Sequence, residues 1–247
     1  MQGSAAGQGW AGDESGTVAA AAWVRGLAAR FVVFEGPDGS GKSTQFRRLS
    51  RLATASGLTL CEVRDPGGTQ VGERIREVLL DRSLTDMGVT CETLLYMASR
   101  AELVEHRIMP GLRRGEFVLA DRFVPSTMAY QGAAGGVPAS QIAAVARMAT
   151  HGLMPDIVVV FDLDEMAAAK RLSPLLDRME AKGAAFHRKV RDGYLRQAAD
   201  DPGRYIVVDA SVDEERVWES LVAALIDRLR VLPPAAHLKS GRAGGGA

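Results

Sequence analysis

The chain has little cysteine, no net charge and no long apolar run. Its two cysteines, Cys61 and Cys91, lie in apolar surroundings without the spacing of metal ligands, which favours free thiols in a reducing compartment over a disulfide framework. Thirty basic residues balance thirty acidic ones, so no overall field would draw the chain to nucleic acid or to a membrane surface. No apolar stretch reaches the roughly 18 residues that cross a bilayer. These absences predict a cytoplasmic protein that binds neither nucleic acid nor membrane.

The two ends of the chain differ in composition from its middle. Residues 1–29 are rich in alanine and glycine, and no basic residue precedes their apolar stretch 18–24, which argues against a secretory signal. We expect residues 1–29 to form a disordered extension, with helix allowed near residues 17–29, and residues 233–247 to form a flexible tail. Residues 30–232 contain no linker or internal repeat, so we predict that they fold as one domain.

From Arg30 onward, predicted strands alternate with predicted helices. The first strand, residues 31–35, is a short apolar run stopped by Gly36, as expected of a strand buried on both faces. Similar runs occur at residues 58–63, 117–120, 157–161 and 205–208. Helices are predicted near residues 43–56, 70–81, 90–114, 138–151, 164–172, 180–199 and 212–231. The alternation predicts an α/β fold with a five-stranded parallel sheet and helices on both faces.

A glycine-rich segment joins the first strand to the first helix. Its spacing is that of a phosphate loop, in which glycines let successive backbone N–H groups point at phosphate oxygens. We expect Lys42 to reach the β- and γ-phosphates of ATP and the Ser43 hydroxyl to bind Mg²⁺. The residues predicted to bind ATP are Gly36, Pro37, Asp38, Gly39, Ser40, Gly41, Lys42, Ser43 and Thr44.

Phosphate loops serve many classes of nucleotide-binding protein, so the acceptor must be identified from other segments. Four such segments are Arg64-Asp65-Pro66-Gly67-Gly68-Thr69, Tyr96 with Arg100, Asp121-Arg122-Phe123 and Ser126-Thr127-Met128-Ala129-Tyr130-Gln131-Gly132. In this order the chain resembles the bacterial thymidylate kinase family, whose motifs are R-E-P-G-G-T, an aromatic and an arginine four apart, D-R-Y and S-x-x-A-Y-Q-G. The resemblance covers about residues 31–225. It implies a P-loop kinase fold with a short lid, and phosphorylation of dTMP by ATP for dTTP synthesis.

The first roles implied by the resemblance concern the base and the sugar. Residues four apart share a helix face, so Tyr96 can lie on a base while Arg100 donates to its edge; taken alone, the pair also fits a core tyrosine and a solvated arginine. In the family, the matching residues contact thymine in this way, and those matching Thr127 and Gln131 bond the thymine edge. Tyr130 would line the sugar pocket and disfavour a ribose 2′-hydroxyl.

The second set of roles concerns the phosphates and the deoxyribose. Asp121 follows an apolar strand, as Mg²⁺-binding aspartates of phosphate-loop enzymes do, and Arg122 offers a planar fork to the acceptor phosphate. The resemblance places Arg64 and Arg76 close to the monophosphate as well. Asp38 matches a carboxylate that holds the 3′-hydroxyl in the family, although a residue bonding its own loop would fit the sequence too.

The chemistry depends on alignment and charge. The acceptor is a phosphate oxygen that is largely ionised at pH 7, so no general base is needed, and the two polyanions must be aligned and neutralised. Family members without an arginine in the phosphate loop usually carry several in the lid, whereas this chain has Gly39 in the loop and an apolar stretch between Arg171 and Arg178. Arg178 is our first candidate to act on the transferring group, and Arg171 our second. The predicted catalytic residues are Lys42, Asp121, Arg122 and Arg178.

Two alternatives to a cytoplasmic thymidylate kinase stay open. One is a kinase of another specificity: either a kinase of a different pyrimidine monophosphate, or a deoxynucleoside kinase, whose hydroxyl acceptor needs a base and could use Asp65. The other is a nucleotide-binding relative without activity, which would also carry the loop, although the intact Lys42, Ser43, Asp121 and Arg122 argue against it. The resemblance further implies a homodimer, with the helix near residues 90–114 as its contact face.

Overall fold

The computed structural model describes residues 22–171, 178–179 and 182–235. Five parallel strands form one sheet in the order β2-β3-β1-β4-β5. They are β1 (Phe31–Glu35), β2 (Leu60–Arg64), β3 (Phe117–Asp121), β4 (Ile157–Asp162) and β5 (Tyr205–Asp209). The predicted fold class is confirmed, and the strands begin and end within two residues of the predicted positions.

The helices lie on both faces of this sheet. They are α1 (Lys42–Ala55), α2 (Gln70–Leu80), α3 (Val89–Leu103), α4 (Met109–Arg113), α5 (Val124–Thr127), α6 (Ala139–Ala149), α7 (Glu165–Arg171), α8 (Ala184–Asp200) and α9 (Glu214–Val231). A π-helical turn, Val104–Ile108, joins α3 to α4, so the helix predicted over residues 90–114 is continuous but not uniform. A second π-helical segment, Met128–Ala134, continues α5, and neither was predicted.

The central strand explains where the core lies. All five residues of β1 are buried, and their side chains alternate between two cores: Val32 and Phe34 belong to the one that includes α1 and α9, Phe31 and Val33 to the one that includes α8. Edge strands β2 and β5 instead alternate buried with more exposed residues. Helices on both faces therefore bury the middle of the sheet, as its apolar strands require.

The strand order also positions the functional loops. Because β1 pairs in parallel with both β3 and β4, with Phe34 opposite Asp121 and Val159, the loops that follow β1 and β3 emerge side by side. In open α/β sheets, ligands bind at this carboxyl edge, where the chain order reverses. The phosphate loop and the Asp121–Arg122 pair are thus brought together by topology.

The N-terminal boundary differs from the prediction at residues 22–29. These residues are helical in part, and Val24 and Leu27 are fully buried in the core with α9. Helix near residues 17–29 was allowed by the sequence, but burial in the core was not predicted, because the alanine and glycine around Val24 and Leu27 hide two core positions. At the other end, Arg30 donates to the carbonyl of Pro233, and Ala235 is buried. Residues 1–21 and 236–247 lie outside the described residues.

The predicted short lid falls largely outside the described part of the chain, which omits residues 172–177 and 180–181. Its entering helix, α7, is described, and so are Arg178 and Met179. In the portions that the structure describes, no helix combines the length and apolar character needed to span a membrane.

Candidate active site

The phosphate loop runs from the end of β1 to the start of α1. Its first glycine, Gly36, has φ +133°, and a Cβ there would lie 2.5 Å from the carbonyl oxygen of Phe161; no other residue fits this close approach. Gly41 (φ 81°) precedes the helix. Lys42 is the first residue of α1, and its Nζ donates to the carbonyls of Gly36 and Pro37, each at 3.2 Å. The loop therefore lies directly before a helix N-terminus, where backbone N–H groups favour phosphate.

Gly39 is the point where helix α7 packs on the phosphate loop. Its φ is +80°, and a Cβ there would lie 2.7 Å from the carbonyl oxygen of Ala168 and 3.4 Å from Cβ of Arg171. A side chain such as arginine does not fit at this position. The helix that leads into the lid segment thus stands against the loop and brings Arg171 beside it.

One cavity at the carboxyl edge of the sheet contains every residue predicted to bind the monophosphate. Those residues are Asp38, Arg64, Arg76, Tyr96, Arg100, Arg122, Thr127, Tyr130 and Gln131. Lys42, Ser43 and Asp121 line the same cavity, so it joins the phosphate loop to the pocket predicted for the acceptor. Arg178 is not among its lining residues.

Arg122 is at the centre of this cavity and is held in an unusual backbone conformation. Its φ is 71°, a left-handed value that is uncommon outside glycine and marks functional positions. Nη2 of its guanidinium donates to Asp38 at 2.6 Å, and Nη1 donates to the hydroxyls of Ser126 and Tyr194, each at 3.1 Å. Burial would lower the pKa of Arg122, but Asp38 and the other acidic groups around it raise it well above its usual value.

A network around Glu35 supports Arg122, and the sequence analysis assigned it no role. Glu35 ends β1 fully buried and accepts from the backbone N–H of Phe123 at 2.8 Å. It also accepts from the hydroxyls of Ser126 and Tyr194, at 2.6 and 2.9 Å. Burial raises the pKa of Glu35, against the nearby Arg122 charge. Glu35 could have been recognised from the sequence, because an acidic residue at the end of a buried strand is uncommon. Tyr194 could not, because it lies in an ordinary helical pattern.

Asp38 and Lys42 place a negative and a positive side chain next to each other at the phosphate loop. Burial favours the neutral form of Asp38, but the charges of Arg122 and Lys42 prevail and lower its pKa to about 2. Lys42 lies 3.9 Å from the same carboxylate. Burial and the neighbouring Arg122 lower the pKa of Lys42. Asp38 is therefore ionised at neutral pH and orients Arg122.

At the end of the cavity away from the phosphate loop lies Arg100, which is 1% exposed. Its Nε donates to Asp65 at 2.5 Å, and Nη2 donates to the carbonyl of Phe123 at 3.1 Å and to Thr127 at 3.2 Å. Nη1 contacts the sulfur of Met97. A guanidinium has five N–H groups, so among the described residues these contacts leave one on Nη1. The pairing with Arg100 also makes Asp65 a support for that arginine.

Gln131 is held from behind by Glu92, at the start of α3. Its Nε2 donates to Glu92 Oε1 at 2.7 Å, and Gln131 and Glu92 are each 1% exposed. Glu92 also accepts from Lys182 at 3.2 Å and pairs with Arg178 at 2.6 Å. Glu92 and Lys182 were not predicted as site residues, because the spacing of residues along a helix gives no information about contacts between segments that are distant in the chain.

The remaining predicted residues have simpler surroundings. Arg64 is half-exposed and pairs with Glu73 at 3.2 Å, and Arg76 donates to the carbonyl of Pro66 at 3.0 Å. Tyr96 and Tyr130 both line the cavity. Burial raises the pKa of Tyr130, so its phenol stays neutral.

The two lid arginines have different partners. Arg171 donates from Nη1 to the carbonyl of Ala210 at 3.1 Å and lies on α7 beside Gly39. Arg178 donates from Nε to the carbonyl of Leu79 at 2.9 Å and pairs with Glu92. The contacts of Arg178 thus point to the base end of the cavity, whereas sequence analysis ranked it first for the transferring phosphate.

The donors near the loop fit a magnesium ion. Oδ1 of Asp121 is buried and has no hydrogen-bond partner among the described residues, and Ser43 lines the same cavity. A carboxylate and a hydroxyl beside a phosphate loop match the few protein ligands that Mg²⁺ takes when phosphate oxygens and water complete its shell.

A phosphate loop at the end of the central parallel strand, opening into a cavity lined by arginines, defines a kinase of the P-loop class. The family model described as thymidylate kinase matches residues 34–221. The chain belongs to the thymidylate kinase family, as the motifs predicted.

Individual relatives support this membership. The thymidylate kinase of Caldanaerobacter subterraneus subsp. tengcongensis is 43% identical over 202 residues, which cover 81% of this chain and 97% of that protein. The thymidylate kinase of Pelotomaculum thermopropionicum is 44% identical over 198 residues, covering 79% and 92%. The crystal structure of thymidylate kinase from Ehrlichia chaffeensis has a TM-score of 0.67 and 29% identity, and the match covers 79% of this chain and 98% of that one.

Proposed function

We propose that this chain performs the thymidylate kinase reaction, transferring the γ-phosphate of ATP to dTMP to give dTDP for DNA precursor synthesis. The observation that carries the proposal is the single cavity in which Lys42 of the phosphate loop, Arg122 after β3 and Gln131 at the base end meet. It has the donor, acceptor and base groups that the reaction requires.

On the donor side, the loop N–H groups and the start of α1 bind the phosphates of ATP. Lys42 moves from its loop carbonyls to the β- and γ-oxygens. Ser43 and Asp121 would hold Mg²⁺, which when bound would neutralise charge on the phosphates. The protein therefore accelerates the reaction mainly by neutralising phosphate charge, through Lys42 and the groups that bind the metal ion, and not by transferring a proton.

On the acceptor side, Arg122 binds the phosphate of dTMP and aligns it with the γ-phosphate. Its contacts to Asp38, Ser126 and Tyr194 fix the guanidinium before substrate arrives, which reduces the ordering cost in the transition state. Arg64 and Arg76 supply further positive charge, and Asp38 accepts from the 3′-hydroxyl of the deoxyribose.

At the base end, the ring of Tyr96 stacks on thymine while the remaining Nη1 hydrogen of Arg100 donates to a thymine carbonyl. Gln131 and Thr127 bond the same edge of the base, and Tyr130 lines the sugar pocket, where a ribose 2′-hydroxyl would clash. Asp65 pairs through Oδ2 with Arg100 at 2.5 Å, so its carboxylate has a role in holding the arginine of the base pocket, which favours the monophosphate kinase over a nucleoside kinase that would need Asp65 as its base.

For the lid, we place Arg171 ahead of Arg178 as the residue that neutralises the transferring phosphoryl group. Arg171 stands beside Gly39 of the loop, whereas Arg178 is 8% exposed at its side chain and paired with Glu92. Arg178 remains the second candidate.

The assembly and the compartment are also proposals. A homodimer is supported by exposed apolar side chains on the packed helices α2 and α3, namely Val71, Val78 and Leu94. A cytoplasmic location is supported by the free thiols of Cys61 and Cys91, since a reducing compartment keeps thiols unpaired.

The experiment that tests the proposed activity is conversion of dTMP to dTDP in the presence of ATP and Mg²⁺, followed by chromatography. Lys42→Ala should abolish the product, because Lys42 contacts phosphates in the transition state. Circular dichroism of the variant checks that the fold is kept. A Lys42→Ala protein with near-normal turnover would contradict the assigned role of the loop.

A further inference from the structure

Glu92 is a buried charge at the base end of the cavity. It lies in the first turn of α3 and is 1% exposed, yet three side chains from two distant segments converge on it: Gln131, Arg178 and Lys182. A buried carboxylate is costly unless paired and hydrogen-bonded. So complete a set of partners shows that the ionised form is the one the structure accommodates.

The charge state of Glu92 follows from these partners. Burial would raise its pKa, but the amide of Gln131 and the positive charges of Lys182 and Arg178 together lower it. At neutral pH the carboxylate therefore only accepts hydrogen bonds.

An acceptor-only neighbour fixes which way the Gln131 amide points. The nitrogen Nε2 must face Glu92, as it does at 2.7 Å, so the carbonyl oxygen Oε1 is turned away from Glu92. Gln131 also lines the cavity. The amide can therefore offer a ligand its oxygen Oε1 as acceptor, while one of the two N–H groups of Nε2 is held by Glu92 and the nitrogen cannot exchange places with the oxygen.

We propose that Glu92 is a positioning residue for base selection: it holds Gln131 with its carbonyl oxygen available to the base, so that the site accepts a pyrimidine with an N3–H donor and rejects one with a bare N3. This inference rests on the proposed function, and it adds the residue that sets the polarity of the base contact. Thymine and uracil carry the N3–H, whereas cytosine has an acceptor at that position. A cytosine would leave two acceptors facing one another, and such an unpaired contact is strongly disfavoured.

Arg178 and Lys182 share the neutralisation of the Glu92 charge. Lys182 has a second contact, with its Nζ 4.9 Å from the centre of the Phe186 ring. Removing one of them leaves the other cation and the Glu92–Gln131 hydrogen bond in place.

The test is the ratio of kcat/KM for dTMP to that for dCMP. Glu92→Gln keeps the size of the side chain but can donate as well as accept, so the Gln131 amide can turn over and offer its nitrogen to cytosine. We expect the ratio to fall at least about tenfold, which corresponds to about 1.4 kcal/mol. Lys182→Met is the matched control, and its ratio should stay within about twofold of the wild type.

A second variant keeps the inference testable if Glu92→Gln does not fold. Gln131→Leu removes the amide while filling similar space, and it should lose discrimination against dCMP to a similar extent. In the double variant, Glu92→Gln should change the ratio no further, because Glu92 acts through Gln131.

Three results would overturn the inference. A folded Glu92→Gln that lowers kcat/KM for dTMP and dCMP equally would show a merely structural role. A folded Gln131→Leu with wild-type discrimination would show that the amide does not select the base. Wild-type protein without turnover of dTMP would overturn the proposed function and this inference together, whereas the first two results leave the proposed function standing.

Discussion

Arg122 combines backbone strain with a dense set of side-chain contacts. A left-handed conformation at a non-glycine residue costs on the order of 1–3 kcal/mol, and φ 71° at Arg122 persists because the next residue, Phe123, is tied by its N–H to Glu35. The strained turn points the guanidinium at Asp38. The Asp-Arg-Phe motif identified the residue from sequence, but its support came from Glu35 and Tyr194, which are distant in the chain.

Replacing Arg122 by alanine should weaken the binding of dTMP. We expect KM for dTMP to rise about 30-fold or more, because truncating a buried, hydrogen-bonded charge typically costs about 2–5 kcal/mol, and kcat/KM to fall at least as far. Steady-state kinetics with dTMP varied at saturating ATP measure the effect. The control is Arg147→Ala on α6, an exposed arginine away from the cavity. An unchanged KM for dTMP would contradict the role of Arg122.

At the scale of the secondary-structure elements, helix α7 packs directly against the phosphate loop. This helix leads into the lid segment, and its Ala168 closely approaches Gly39 of the loop. The sequence alone shows that the phosphate loop has Gly39 and no arginine. The structure adds the reason, because no side chain fits at this position.

This packing predicts a difference between the two lid arginines. Arg171→Ala should lower kcat at least tenfold with little change in KM for dTMP, since an arginine acting mainly in the transition state lowers kcat and kcat/KM together. Arg178→Ala should lower kcat less. Both variants are measured with each substrate varied in turn. The reverse order would restore the original sequence prediction for Arg178.

The elements also show where periodicity is informative. The helix and strand runs follow from apolar spacing, because amphipathic faces must meet the sheet. Residues 124–134 follow no such pattern: a short helix begins at Val124 with Pro125 in its first turn, and the π-helical segment that carries Tyr130 and Gln131 packs mainly on α8. Tertiary contacts shape that segment, so its motif could be recognised while its geometry could not.

At the scale of the whole molecule, the number of strands could be predicted from the sequence, but their order in the sheet could not. Short parallel runs indicate a sheet, but the position of each strand depends on the helical crossovers. The same limit applied to the N-terminal boundary. Val24 and Leu27 lie in a segment rich in alanine and glycine with no clear periodicity, and only their burial in the core with α9 shows that they belong to the fold.

Removing residues 1–28 should therefore destabilise the protein, contrary to what a passive extension predicts. Full burial of a valine or leucine side chain contributes about 1.5–3 kcal/mol, and both Val24 and Leu27 are lost with this segment. Thermal unfolding should show a clearly lower Tm. Removal of residues 1–20 is the matched control and should leave Tm unchanged. Equal Tm values for the two truncations would contradict the boundary drawn by the structure.

We expect the cavity to select dTMP as the acceptor. The most direct measurement is ADP release in a coupled assay, with ATP and Mg²⁺ held constant and the acceptor varied among dTMP, dUMP, dCMP, UMP and thymidine. We predict the highest kcat/KM for dTMP, because Arg100 and Gln131 suit an oxo-edge pyrimidine and Tyr130 disfavours a ribose. A preference for cytidine nucleotides, or activity on thymidine alone, would contradict the account.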